Sequence, residues 1–133
     1  MFTYKTSVKM HDTDAAGILF FGSQFEMIHD AYEALIEKLG FSFATILRKT
    51  NFFIPIVHAE ADYKAPLFVG DRIAIEVRVA RIGKSSFTLS YKLLDKKKRI
   101  VGTAQTVHVA TNKKTKNKIP LPPQVRRVLT KIA

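Results

Sequence analysis

The residues best suited to chemistry lie near the N-terminus, in the stretch HDTDAAGILFFGSQFEMIHD at 11–30. Two carboxylates, Asp12 and Asp14, precede a glycine and an apolar run of Ile, Leu and Phe. A surface turn needs no apolar run, and a core segment needs no pair of aspartates. The combination predicts a lined pocket. A turn closed by an Asx hydrogen bond, with no chemical role, is the alternative.

One long helix must hold this stretch in place. Ser23 with Glu26 fits a capping box at its start, and Gly40 fits a C-terminal cap. A helix of roughly 17 residues is about 25 Å long, enough to cross a small domain. Apolar residues recur between the caps at spacings of three and four, which predicts one buried stripe. The stripe contains Phe25, Ile28, Tyr32, Leu35, Ile36 and Leu39.

Five strands are predicted from extended segments, most clearly where apolar and polar residues alternate. Two short polar links, GKSS and DKKKR, predict hairpins between the last three. Short helices are predicted at 42–49 and 122–132. One long helix between the first strand and an antiparallel run indicates an α+β fold whose sheet wraps the helix. The predicted strands lie at 2–10, 54–65, 72–82, 87–94 and 100–111.

Composition narrows the class of protein. A chain of 133 residues with 47% hydrophobic content predicts a single domain, 1–133. The sequence has no cysteine, which excludes disulfides, thiolate zinc sites and a cysteine nucleophile. The four histidines have no close pair at ligand spacing, so we expect neither a metal nor another cofactor. No apolar run reaches the roughly 18 residues that a membrane span needs, and we expect a cytoplasmic protein without a membrane partner.

The net charge of +11 indicates an anionic partner or a heavily solvated surface. Much of the excess lies at 95–99 and 112–118, which are predicted turns. Solvated turns are one interpretation, and attraction of a phosphate-bearing ligand is the other. Nucleic acid is an unlikely partner, because the chain has no zinc-finger, RNP or glycine-rich RNA-clamping pattern.

The motif DTDAAGILFF followed by HDAYEALIEKLG resembles the 4-hydroxybenzoyl-CoA thioesterase family of hotdog-fold proteins. ADYKAPLFVGDRIAIEVRV and GKSSFTLSY extend the resemblance over nearly the whole chain. Within that family, DTDAAG, HDAYE and IPIVHAEADY are most similar to the 1,4-dihydroxy-2-naphthoyl-CoA hydrolases of quinone biosynthesis. The resemblance implies a sheet of about five strands around one central helix, and a homodimer or homotetramer.

The resemblance also implies the reacting groups. Asp14 holds the position of the family's catalytic carboxylate, as nucleophile or general base, and Asp12 fits an orienting or turn-forming role. The backbone N–H groups of Phe21 and Gly22 are the expected oxyanion hole, at a helix start that favours anions. Gly17 gives the turn room, and the run that contains Phe20 walls the acyl group from water.

Two histidines and one hairpin complete the expected site. His29 lies on the helix stripe, where relatives commonly carry an acid, and is expected to line the pocket or to be a core residue. His58 lies in a predicted strand and is expected to contact substrate, with a plain strand residue as the alternative. The resemblance places contacts to the CoA phosphates at Lys84, Ser85 and, more loosely, Arg81. Gly83 stands where relatives have a basic residue, so a thinner clamp, or one completed by another subunit, is expected.

The expected activity is therefore hydrolysis of an acyl-CoA thioester, with an aryl-CoA such as 1,4-dihydroxy-2-naphthoyl-CoA as substrate. Short-chain or medium-chain acyl-CoA is the alternative substrate. A hotdog module that binds acyl-CoA without turnover, as a binding or regulatory protein, is the alternative function.

Overall fold

The computed structural model describes residues 1–133, apart from the side chain of Phe43. The three helices are α1 (Ser23–Lys38), α2 (Phe43–Lys49) and α3 (Pro123–Ile132), and a short 3-10 turn covers Met10–Asp12. The strands are β1 (Phe2–Ser7), β2 (Phe52–Phe53), β3 (Ile56–Tyr63), β4 (Arg72–Ile82), β5 (Ser86–Leu94), β6 (Ile100–Val109) and β7 (Thr111–Asn112). Five of them form one antiparallel sheet in the order β1-β4-β5-β6-β3. The predicted α+β architecture is confirmed, and β2 with β7 adds a small ribbon that the sequence did not predict.

Helix α1 has the predicted buried stripe and begins at Ser23 as predicted, but the predicted capping box is wrong. The residue that precedes the helix is Gly22 with helical dihedrals, and no side chain caps it, so Ser23 lies inside the first turn and is buried. The predicted end is confirmed: Gly40 has φ +91°, its N–H donates to Glu37 O at 3.1 Å, and Phe41 N–H donates to Ile36 O at 3.1 Å. These two bonds form a Schellman motif.

The core lies between α1 and the inner face of the sheet. Strand β4 alternates as predicted, with Ile73, Ile75 and Val77 buried and Arg72 and Arg78 exposed. Burial of such aliphatic side chains contributes about 1.5–3 kcal/mol each. The helix adds its own buried residues to this core: Met27, Ile28, Ala31, Tyr32, Leu35 and Ile36.

A buried amide fixes the start of α1 against the sheet. Gln24 is 1% exposed, and its side-chain nitrogen donates to Asp62 O at 3.2 Å and Thr103 O at 3.1 Å. A Cβ at Gly102 would lie 2.8 Å from the Gln24 side-chain oxygen, so a side chain there would displace the Gln24 amide. The first turn of α1 is therefore anchored to β3 and β6.

Strand β3 is an edge strand that is exposed along almost its whole length. Ile56 is 40% exposed and Val57 is 59% exposed, both on an edge that carries unpaired backbone groups. Its residues that face α1 include Ala59, opposite Thr106, and Ala61, opposite Ala104. Side chains this small leave space between β3 and the helix.

Among the described residues, no helix is both long enough and apolar enough to cross a membrane.

Candidate active site

Asp14 lies at the surface in a tight turn that its own side chain closes. Its Oδ1 accepts from the N–H groups of Ala16 at 2.8 Å and Ile18 at 3.3 Å. Gly17 adopts φ +77°, a conformation that a residue with a Cβ rarely takes. The Asx turn is therefore present, yet among the described residues Oδ2 accepts no hydrogen bond and stays available for chemistry.

Asp12 has the turn-forming role that the sequence predicted. It is 6% exposed, and its Oδ2 accepts from Lys9 N–H at 2.8 Å. Its carbonyl accepts from Phe20 N–H at 2.9 Å, which closes the loop between the two aspartates and α1. Asp14 and the start of the helix thus belong to one closed loop.

The oxyanion-hole candidates have free donors. Among the described residues, the N–H groups of Phe21 and Gly22 donate no hydrogen bond. The Phe21 carbonyl, in contrast, accepts from Tyr63 Oη at 2.6 Å. Since Phe21 C=O and Gly22 N–H belong to one peptide plane, this bond fixes the direction of the Gly22 N–H and increases its polarity. Sequence reasoning missed Tyr63, although it lies in the quoted ADYKAP motif.

Two cavities open between α1 and β3. One of about 320 Å³ lies beside the loop and is lined by Ile18, Leu19, Phe21, Gln24, Tyr63, Lys64, Ala65, Pro66 and Leu67. The second, of about 250 Å³, lies one helical turn further along and is called the inner cavity below. It is lined by Phe25, Ile28, His29, Tyr32, Ile56, Ala59, Tyr91 and Thr106. An aromatic and aliphatic lining of this kind suits an apolar acyl group.

The other predicted binding residues are distributed unevenly around these cavities. His29 lines the inner cavity, and its ring meets Tyr32 edge-on at 5.7 Å. Phe20 is 47% exposed and packs against the Phe21 ring at 4.6 Å. His58 pairs with Val107 on the face of the sheet away from α1, where its Nε2 lies 3.5 Å from Glu60 Oε1. Within one protomer, His58 is therefore not brought to either cavity.

A row of buried polar groups lies beside the inner cavity and was not predicted. Tyr91 Oη is 2.9 Å from Thr106 Oγ1, which is 2.8 Å from His108 Nε2. The His108 ring is fully buried and stacks on Phe87 at 4.6 Å. Burial, with His29 as a second cause, lowers the pKa of His108 to about 4, so the ring is neutral. Tyr91 is 2% exposed, and burial raises its pKa to about 12.

The predicted phosphate contacts lie far from Asp14. In the loop that carries Asp14, Leu19 N–H donates to Leu67 O at 2.8 Å. Leu67 lies shortly before β4 begins, and we call this the aspartate end of the sheet. Lys84 and Ser85 lie where β4 turns into β5, the hairpin end. Because β4 has 11 residues and a strand rises about 3.3 Å per residue, the two ends are roughly 30 Å apart. One protomer does not bring the two groups together.

Arg126 of α3 adds a cation at the hairpin end that the sequence analysis missed. Its Nη2 donates to Gly83 O at 2.7 Å and Lys84 O at 3.2 Å. The guanidinium therefore lies beside Gly83, the position where the resemblance implies a basic residue in relatives. Arg81 is exposed on β4, paired with Thr88. The sequence places an RR pair in the predicted terminal helix, but it does not predict where that helix packs.

A second basic group lies at the aspartate end. A cavity of about 520 Å³ there is lined by Arg72, Lys96, Lys97 and Arg99, with Asp71 and Asp95 as the acidic side chains. The 95–99 turn is held by Asp95, whose carboxylate accepts from Arg99 Nε at 2.8 Å. Hydrogen bonds from Arg99 hold the pKa of Asp95 below its usual value. Across the described residues, no group of three or more His, Asp or Glu side chains could hold a metal ion.

Comparison with known proteins agrees with this geometry. The thioesterase-like superfamily matches residues 8–129. A Rippkaea orientalis protein named 1,4-dihydroxy-2-naphthoyl-CoA hydrolase is 37% identical over 89% of this chain and 87% of its own length. A Synechococcus elongatus protein of the same name is 34% identical, covering 94% of this chain and 92% of its own.

Solved structures give the same result. A 1,4-dihydroxy-2-naphthoyl-CoA thioesterase from Synechocystis superposes with a TM-score of 0.92 at 30% identity, covering 97% of this chain and 95% of its own. A gentisyl-coenzyme A thioesterase superposes with a TM-score of 0.86 at 28% identity, covering 96% of this chain and 98% of its own. The chain therefore belongs to the thioesterase-like superfamily and has the predicted hotdog fold.

Proposed function

We propose that this protein hydrolyses an aryl-CoA thioester, with Asp14 as the catalytic carboxylate. The observation that carries the proposal is one closed loop that presents both reactive features: an unengaged carboxylate oxygen on Asp14 and two undonated N–H groups at Phe21 and Gly22. Acyl transfer needs such a pair, a base or nucleophile and donors for the oxygen that becomes negative. The named relatives at 34–37% identity are hydrolases of a CoA thioester.

Two routes fit a carboxylate at this position. In the first, Asp14 attacks the thioester carbon, the carbon–sulfur bond breaks, and the CoA thiolate leaves and is protonated. Water then hydrolyses the mixed anhydride, which releases the carboxylic acid and restores Asp14. In the second, Asp14 takes a proton from water, the resulting hydroxide adds to the carbon, and the CoA thiolate leaves and is protonated. In both routes, the carbonyl oxygen gains negative charge that the Phe21 and Gly22 N–H groups stabilise.

The inner cavity supports an aromatic acyl group as substrate. Phe25, Tyr32 and Tyr91 supply flat aromatic walls, and Ile28 and Ile56 supply aliphatic ones. Short-chain or medium-chain acyl groups would fill the space without using these faces. A role in quinone biosynthesis and a cytoplasmic location stay predictions from the sequence.

We also propose that the working unit is a homodimer joined at the β3 edges. Antiparallel pairing of two β3 strands would continue the sheet and reverse its direction, so the hairpin end of one copy would meet the aspartate end of the other. Lys84 and Arg126 of one copy would then lie near Asp14 of the other. The exposed Ile56 and Val57 support such pairing, because exposed apolar side chains on an edge strand favour contact with another strand.

Replacing Asp14 with Asn tests the chemical assignment. The change keeps the size of the side chain and the oxygen that closes the turn, and removes charge and basicity. We expect kcat for 1,4-dihydroxy-2-naphthoyl-CoA to fall by roughly 100-fold or more, since general base catalysis contributes about 10²–10⁴-fold. Free CoA, detected with a thiol reagent, gives the rate.

Asp12→Asn is the matched control. It removes a charge two residues away, from a side chain that only holds the turn, and should cost on the order of 1 kcal/mol of stability with a modest loss of rate. Thermal midpoints of both variants separate lost chemistry from lost folding. A folded Asp14→Asn protein with nearly wild-type kcat would disprove the assignment. A wild-type protein that binds acyl-CoA without releasing CoA would instead be a binding module.

A further inference from the structure

The aspartate end of the sheet carries large apolar side chains that are exposed to water. Phe68 and Val69, in the turn that leads into β4, and Ile100, the first residue of β6, are each between 45% and 49% exposed. Phe68 and Ile100 both line the cavity of about 520 Å³ at this end, so they lie close together. None of the three lines either cavity between α1 and β3. The proposed acyl site therefore leaves them unused.

Hydrogen bonds hold the turn that carries Phe68 and Val69 in place. Asp71 Oδ2 accepts from Phe68 N–H at 2.8 Å, and Phe68 O accepts from Asp71 N–H at 3.0 Å. Gly70 has φ +90°, a conformation that favours glycine, and its N–H donates to Val8 O at 2.8 Å. The turn is therefore fixed beside the end of β1. Since β1 and β3 are opposite edges of the sheet, pairing at the β3 edge would leave this turn exposed.

Basic side chains surround these apolar ones. The four cations described above at the aspartate end line the same cavity as Phe68 and Ile100. A neighbouring cavity of about 720 Å³ shares two of those cations and adds Lys5, Lys9 and Lys98. The seven cations therefore form one continuous surface with the three apolar side chains, and we call it the basic end surface.

The basic end surface has a large excess of positive charge. Asp71 and Asp95 are the two acidic side chains that line these cavities. Both are engaged in holding turns, Asp71 through Phe68 N–H and Asp95 through Arg99 Nε at 2.8 Å. Seven cations with two engaged carboxylates attract a polyanion. The predicted CoA phosphate contacts, at Lys84 and the hairpin end, do not involve this surface.

The combination of cations with exposed apolar side chains favours a lipid bilayer over other polyanions. Apolar side chains of a peripheral protein enter the headgroup region, and lysine stems extend along them while the ammonium groups stay among the lipid phosphates. Proteins that bind single-stranded nucleic acid instead stack bases on aromatic side chains along a groove. The sequence analysis expected no membrane partner because no segment could span a bilayer, and a peripheral contact needs no such segment.

We propose that the basic end surface docks this protein on an anionic lipid bilayer. Phe68, Val69 and Ile100 enter the headgroup region, and the cations around them pair with lipid phosphates. The proposal does not depend on the proposed hydrolysis. The two are neighbours in the structure, however, because Ile18 of the loop that carries Asp14 forms a β-bridge with Phe68. A docked protein therefore holds that loop close to the lipid.

Sedimentation with lipid vesicles tests the proposal on the full chain. One set of vesicles is phosphatidylcholine alone, and the other is an equal mixture of phosphatidylcholine and phosphatidylglycerol. We expect the protein to bind the anionic vesicles at low salt, to bind them more weakly as salt is added, and not to bind phosphatidylcholine alone. Absence of binding to the anionic vesicles at low salt would overturn the proposal and leave the proposed hydrolysis untouched.

Two double variants of equal net charge test the position of the contact. Lys96→Glu with Lys97→Glu changes the basic end surface, and Lys114→Glu with Lys118→Glu makes the same change on another exposed basic turn. Because each cation near an anionic leaflet contributes about five-fold in affinity, we expect the first variant to bind about 25-fold more weakly or worse. The second should bind nearly as the wild type does. Equal losses in both would show attraction by net charge alone and overturn the proposal.

Phe68→Ser with Ile100→Ser tests the apolar part of the surface. We expect binding to the anionic vesicles to weaken by about 10-fold, because these side chains enter the headgroup region. Binding to heparin, a soluble polyanion, should stay as in the wild type. Leu47→Ser is the matched control, since Leu47 is exposed on α2, outside the surface. Unchanged vesicle binding in the double variant, or wild-type binding to duplex DNA that is tighter than to the vesicles, would assign the surface to a soluble polyanion and overturn the proposal.

Discussion

The two edge strands of the sheet, β1 and β3, differ in side-chain exposure and in side-chain type. On β1, residues alternate between half-buried and exposed, as for Phe2 and Thr3, and the exposed Lys5 discourages pairing with another strand. On β3, nearly every residue is exposed, the inward side chains include small alanines, and the apolar Ile56 and Val57 are exposed beside the acidic Glu60 and Asp62. The β1 edge therefore discourages pairing with another strand, whereas the β3 edge leaves exposed apolar side chains beside unpaired backbone groups.

The strands next to the two edges also differ in the residues that they bury. Beside β1, the buried residues Ile73, Ile75 and Val77 of β4 are apolar and close-packed against the core. Beside β3, strand β6 contributes Gly102, Ala104, Thr106 and His108, which leave space and bring polar groups under α1. One helix thus has a side that stabilises the fold and a side that forms the candidate site.

The largest effect should come from a charge placed on the open edge. Val57→Lys puts a cation on β3, and in a two-fold pair the charge would occur twice at one interface. We expect light scattering to show a monomer of 15.0 kDa and kcat/KM to fall by roughly 100-fold, the cost of a displaced site. Thr3→Lys also adds a lysine to an edge strand, β1, and should alter neither the oligomeric state nor kcat/KM. A stable wild-type monomer with full activity would refute the dimer.

Acid should destabilise the protein, because the buried His108 beside α1 is neutral in the folded state. Burial lowers the pKa of His108 from 6.5 to about 4, so between these values the unfolded chain binds more protons. Stability present above pH 6.5 is therefore lost as the pH falls towards 4. At ~1.4 kcal/mol per pKa unit, the loss is on the order of 3 kcal/mol.

Urea unfolding at a fixed protein concentration and at several pH values measures this loss. His108→Gln should remove most of the slope between pH 6.5 and 4, and His11→Gln should not, because the His11 side chain is 75% exposed. The same slope in His108→Gln and in the wild-type protein would assign the acid sensitivity to other groups.

Removing the hydroxyl of Tyr63 should have a smaller effect, on chemistry alone. Tyr63→Phe frees the Phe21 carbonyl, so the peptide that carries the Gly22 N–H is less fixed and less polarised. We expect kcat to fall by about 10-fold with KM nearly unchanged, as for a group that acts on the transition state. Tyr4→Phe serves as the control, because Tyr4 lies on β1 at the opposite edge of the sheet. A rise in KM with constant kcat would show that Tyr63 binds substrate and does not position the donor.

The smallest effect should be that of Lys84→Ala, expected as a rise of a few-fold in KM for CoA thioesters with little change in kcat. Added salt should reduce the difference between variant and wild type, because the contact is an exposed charge pair with phosphate. Lys97→Ala is the matched control, since Lys97 belongs to the cation group at the aspartate end of the same protomer. A larger effect at Lys97 would place the phosphates there.

Local sequence patterns predicted most of the fold, because its elements are amphipathic. The alternation at 72–82 matched β4 in both bounds, and Gly40 marked the end of α1. The capping box was wrong because Ser23 is buried in the first turn of α1, and Gly22 before it already has helical dihedrals. A capping pattern describes only local hydrogen bonds, so it does not predict that the residue before the helix already has a helical conformation.

The candidate site was predictable only in part, because much of it depends on contacts between distant segments. The role of Asp12 follows from a bond three residues away. The bond from Tyr63 to Phe21 spans 42 residues, and that from Arg126 to Gly83 spans 43, so neither leaves a local pattern. The separation of Lys84 from Asp14 by the length of β4 likewise required the strand order.

That separation has a consequence in genetic terms. If each site takes Asp14 from one copy and Lys84 with Arg126 from the other, a mixed dimer of an aspartate variant and a hairpin variant holds both defects in one site. Its second site is then intact. Two alleles that are each impaired alone would complement one another when expressed together, whereas a site contained in one copy allows no such rescue.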